Sequence, residues 1–142
     1  MIDRNLLRLS ATLLFIGVVL STVLTQYVHP GGGTTMEATF ANYAGSSNWA
    51  AIHLGEFVSE AVLLAGLLVL FFALGETSGT PRWLGFFGAI AAGVALALAG
   101  VLYAVDGVAL KQAVDAWASA PAAEQTARFA SGSHPVAGVG DT

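Results

Sequence analysis

The chain has no cysteine, which excludes disulfides, thiolate metal sites and cysteine nucleophiles. Charge is also scarce. Asp, Glu, Lys and Arg make up 10% of the 142 residues, where a soluble domain carries about 25%. Lys111 is the single lysine, and no basic cluster marks a nucleic-acid surface. Ser10, Ser21 and Ser59 lack the G-x-S-x-G setting of an activated serine. Gly31, Gly32 and Gly33 are not followed by Lys-Ser or Lys-Thr, so they form no phosphate loop.

Apolar residues dominate what remains. They make up 56% of the chain, and the mean hydropathy is +0.73. Three segments are long enough to span a bilayer, which takes about 20 residues. They run from about Leu6 to Val28, Ala50 to Leu74 and Trp83 to Val105. Tyr27, Trp49, Trp83 and Tyr103 lie near the ends, at the level amphipathic rings prefer. The first segment is read as a retained helix, because it outruns a signal-peptide core and no small-x-small cleavage site follows. These observations define an all-α integral membrane protein with three transmembrane helices in residues 1–105. Its expected setting is a bacterial cytoplasmic membrane, since Ala, Gly, Val and Leu abound and lysine is rare.

Arginine sets the expected orientation. Arg4 and Arg8 precede the first span and Arg82 lies in the turn before the third, while 29–49 holds no Lys or Arg. The positive-inside rule then places the N-terminus in the cytoplasm and the C-terminus outside. Short amphipathic helices are expected on the outer surface. Thr34 and Glu37 have the spacing of a capping box before Met36, Phe40 and Tyr43, and Gly45 can end that helix. In 106–130, Leu110, Val114 and Trp117 form a stripe, Lys111–Asp115 and Glu124–Arg128 pair at i, i+4, and Pro121 starts a second helix. The tail 131–142 has no period and is expected to be disordered. Three spans and a featureless tail fit a chain that continues into a fourth span.

The candidate site is an acidic pair in the second span. His53, Glu56 and Glu60 share one helix face within an arc of roughly 60°. If Trp49 marks the interface, Glu60 lies roughly 16 Å deep; if the span starts at Phe57, it lies about 5 Å deep, and the expected depth falls between. Ionisable groups at such depth are costly and need a reason. The first reading is structural, with a protonated or hydrogen-bonded Glu60 reaching Ser21, Thr25 or Tyr103. The second is a ligand or divalent-metal site built from His53, Glu56 and Glu60, with His29, Asp106 or Tyr103 adding to it. A bis-histidine haem on His29 and His53 is a variant of it. The third is proton or ion movement through Glu60, although the inner halves of the helices carry no continuing polar chain.

Small residues mark candidate packing faces: Gly17, Ser21 and Thr25 on the first helix, and Gly93, Ala97 and Gly100 on the third. Arg8-Leu9-Ser10-Ala11 leading into Leu13-Leu14-Phe15, then a loop, then Leu54-Gly55-Glu56-Phe57 complete the pattern. It resembles a broad family of uncharacterised bacterial multi-pass membrane proteins over about residues 1–105. That resemblance implies a helical membrane fold, often with more helices, and no particular activity. The expected role is a non-catalytic accessory, assembly or binding subunit. Its partners are the lipid bilayer and further copies or a larger membrane complex, with no cofactor required. The alternative is a metal- or cofactor-binding protein.

Overall fold

The computed structural model describes residues 3–75 and 82–133. Six helices follow one another, and no strand occurs among the described residues. Helix α1 (Arg4–Val23) is capped by the Asp3 carboxylate, which accepts from the amides of Asn5 and Leu6. It widens into a π turn, Leu24–Val28, and ends at His29. Helix α2 (Met36–Gly45) starts at Thr35, whose hydroxyl accepts from the Ala38 amide. The cap is thus one residue later than the Thr34–Glu37 spacing predicts, and Glu37 sits in the first turn, where the helix dipole favours it. Helices α3 (Trp49–Gly75) and α4 (Arg82–Ala104) follow, then a second π turn, Val105–Leu110. The chain continues into α5 (Lys111–Ala118) and α6 (Ala122–Ser133).

Three helices are long and apolar enough to cross a membrane: 4–28, 49–74 and 83–118. The third outruns the expected limit at Val105, because the π turn carries the helix into α5 without a break. The break falls at 119–121, beside Pro121. Helix α6 reaches Ser133, so the first residues of the expected disordered tail are helical. Residues 134–142 and most of the expected 75–82 turn lie outside the described residues.

The amphipathic helices do not lie apart. Helix α2 packs on α5, with the Phe40 and Trp117 rings edge to face at 5.8 Å. Lys111 adds a bond from its ammonium to the Ala44 carbonyl (2.9 Å) and pairs with Asp115. The two surface helices expected from the sequence thus pack on each other.

Helix α3 is the centre. It packs on α1 along one side and on α4 along another, while α1 and α4 make at most marginal contact with each other. The α1 side uses Gly55, Ser59, Leu63 and Gly66, where Leu24, Leu63 and Leu14 fill the space that glycine leaves. Ser10 is buried in this contact and donates to the Gly66 carbonyl at 2.8 Å. Ser10→Ala is expected to cost about 1 kcal/mol, the usual worth of an interhelical hydrogen bond in a membrane, read by detergent unfolding. The α4 side uses His53, Phe57 and Phe71, the last lying over Gly85. At 100° per residue the two sides of α3 stand roughly 130° apart.

Two expected packing residues are placed otherwise. Gly93 and Ala97 are exposed, and a side chain at Gly93 would meet nothing within 4 Å. Small-x-x-x-small spacings recur by chance in an alanine-rich helix, and the face of α4 that meets α3 passes through Ala99 and Tyr103 instead. Gly17 is buried against Leu63, Ser21 is half-buried, and Gly100 lies beside Phe57.

Candidate functional site

The polar chemistry gathers at the Trp49 end of α3. Its hub is Trp49, which is 1% exposed. The indole Nε1 donates to the Asp106 carbonyl at 2.6 Å, tying the start of α3 to the π turn after α4. Asp106 therefore serves through its main chain. Around the indole stand Tyr43 (4.4 Å between ring centroids), His53 (4.5 Å) and His29 (5.2 Å). His29 enters from the end of the first span, and its ring meets His53 at 5.3 Å. The two rings meet edge to face.

His53 is buried, and its Nδ1 lies 2.9 Å from the Trp49 carbonyl. A carbonyl can only accept, so Nδ1 carries the proton and Nε2 of the neutral ring is a bare acceptor. The π turn seats Gly107 on this histidine: a Cβ there would stand 2.8 Å from His53 Cβ. A side chain at position 107 would push the turn off α3.

The two carboxyls turn to different neighbours. Glu56 is buried and accepts from the Thr25 hydroxyl of the first span at 3.3 Å. Glu60 is half-buried and stands near Tyr103 of α4. Ser59 donates to the Glu56 carbonyl, inside its own helix. Of the residues expected at the site, His29, His53, Glu56, Glu60 and Tyr103 thus share one end of the molecule, with Thr25 beside them.

They do not converge on one point. Among the described residues no group of three or more His, Asp or Glu side chains is arranged to hold a metal ion. The reason is local. One nitrogen of each histidine faces a backbone carbonyl (Trp49 for His53, Pro30 for His29), Glu56 faces α1 and Glu60 faces α4. Deeper along α3 the same face continues as Leu63, Leu64, Leu67 and Phe71, which offer no proton a further step.

A groove runs along the other flank of the α3–α4 contact. Its volume is about 370 Å³, and it is lined by Ala50, His53, Leu54, Phe57, Gly100, Tyr103, Ala104, Gly107 and Val108. Tyr43, Phe57 and Gly107 escape a sequence reading of the site, since nothing in their spacing sets them apart from ordinary core positions. Trp49 is legible there as an interfacial ring and not as the hub. No family model, no curated protein and no solved structure matches this chain.

Proposed function

We propose that this protein is a small accessory or assembly subunit of a larger membrane complex, without catalytic activity of its own. One observation carries the reading. Glu60 and Leu67 occupy the sector of α3 between its α1 and α4 contacts, and α1 and α4 do not close over it. Among the described residues Thr25 donates to Glu56 and Tyr103 stands near Glu60, where a carboxylate can accept about four bonds. Leu67 is 51% exposed about two helical turns below Glu60. An open seam with a carboxyl at its head is expensive against lipid tails and inexpensive against another helix that brings small or polar residues. The partner is a further copy of the chain or a second membrane protein. Arg4, Arg8 and Arg82 support a cytoplasmic N-terminus in a bacterial inner membrane, with the Trp49 end outside.

A photo-reactive amino acid at Leu67 tests this in intact membranes, with Phe72 as control. Phe72 is 62% exposed on the opposite side of α3. The expected result is a discrete protein adduct from position 67, either of twice the chain's mass or of one defined partner. Position 72 should label lipid. Lipid labelling alone at both positions would remove the basis for a covered seam.

A further inference from the structure

The groove on the far flank of α3 has features that the seam lacks. It lies between α3 and α4, away from α1, and requires no partner at the seam. Its rim residues Ala50, Leu54, Ala104 and Val108 are exposed, so it opens sideways to the surroundings of the spans. Its volume of about 370 Å³ is in the range of small-molecule sites, roughly 300–1,000 Å³. Rings form its walls. Phe57 and Tyr103 stand 6.3 Å apart between centroids, and His53 and Tyr103 stand 6.4 Å apart. Gly100 and Gly107 leave the space between them without side chains. The result is an aromatic slot at the end of an apolar span.

Its polar head is the His53 ring and Tyr103. His53 Nδ1 is committed to the Trp49 carbonyl, which leaves Nε2 as an acceptor. Every fully buried side-chain nitrogen or oxygen among the described residues has a partner, and Nε2 has none, so Nε2 is open to its surroundings. Tyr103 stands between this groove and Glu60. An imidazole acceptor at the head of an apolar aromatic slot asks for a ligand that is flat, lipophilic and carries a hydroxyl donor.

We propose that this groove binds a lipophilic hydroquinone: an aromatic diol on an alkyl tail, entering from the bilayer. The ring lies between Phe57, His53 and Tyr103, and one hydroxyl donates to His53 Nε2. The tail leaves over Ala104 and Val108. The oxidised quinone carries only acceptors and meets the His53 lone pair in the same place, so the site discriminates by protonation of the ligand.

The test is calorimetric titration of the full chain in detergent micelles, with 2-decylhydroquinone under anaerobic, reducing conditions and with 2-decylbenzoquinone. Micelles without protein are the blank. The hydroquinone is expected to saturate one site and to bind at least about tenfold more tightly than the quinone, as one well-made hydrogen bond allows. His53→Phe should weaken it about tenfold. Ala104→Phe fills the slot from an exposed rim position and should abolish binding with an unchanged far-ultraviolet circular dichroism spectrum. The proposal is overturned by equal or tighter quinone binding, by no saturable binding, or by Ala104→Phe binding as the native chain does. Equal binding of a diacylglycerol would overturn it as well, since the aromatic walls would then select nothing.

Discussion

Trp49→Ala should be the most damaging single change at the Trp49 end, lowering stability by about 3–5 kcal/mol. The indole is fully enclosed, so its removal leaves a cavity among Tyr43, His29 and His53. It also frees the Asp106 carbonyl, which loses the bond that fastens the π turn to α3. With that turn released, Gly107 is no longer held against His53, and α2 loses the Tyr43 contact. Trp49→Phe separates the two effects. It keeps most of the ring packing and removes the N–H, so it should cost only about 1 kcal/mol. Unfolding by sodium dodecyl sulfate from mild-detergent micelles, followed by circular dichroism, compares the two. Equal losses would mean that the hydrogen bond, and not the ring stack, holds this end together.

The second large effect is expected between α1 and α3. Gly66→Leu should destabilise the chain by about 3 kcal/mol or more. A Cβ at Gly66 would lie 2.9 Å from Leu14 Cγ and 3.0 Å from the Leu14 backbone nitrogen. A side-chain end can swing aside, but a backbone atom cannot, so the helices must separate. Separation also breaks the Ser10 bond to the Gly66 carbonyl. Gly93→Leu is the matched control. Its side chain enters open space on α4, and leucine is the better helix former by somewhat under 1 kcal/mol. It should therefore leave the detergent-unfolding midpoint unchanged or raise it slightly. If both substitutions act alike, close α1–α3 approach is not a source of stability in this molecule.

Both predictions turn on features with different visibility in the sequence. The glycine at 66 looks no more important than the glycine at 93. Each sits in an apolar helix among small neighbours, and four-residue steps of small residues link Gly93 to Ala97 as readily as they link Gly17 to Ser21. Which of them meets a neighbouring backbone depends on the rotation of each helix about its own axis. In lipid, apolar side chains tolerate either face, so no hydrophobic stripe reports that rotation. The buried serine at position 10 is the clearer sign in hindsight, because its hydroxyl needs a partner wherever it is placed.

The candidate site divides the same way. The shared face of His53, Glu56 and Glu60 is a matter of 100° steps and is legible. What each group does is not. His53 and Glu60 fall on the α4 side of α3 and Glu56 on the α1 side, so an apparent three-ligand face opens into two separate contacts. Asp106 offered a carboxylate on paper and supplies a backbone oxygen in the fold.

By itself the sequence determined the class of molecule: helical, membrane-spanning, with its ionisable groups concentrated near one end of the second span. Lipid imposes that much, since length, apolarity and the cost of charge act on each segment separately. Tertiary structure alone decided that α3 stands between α1 and α4, that a seam stays open beside Glu60, and that His53 lines a groove. Those follow from helix rotation and from two π turns. They are set by contacts between segments far apart in the chain, which no local pattern encodes.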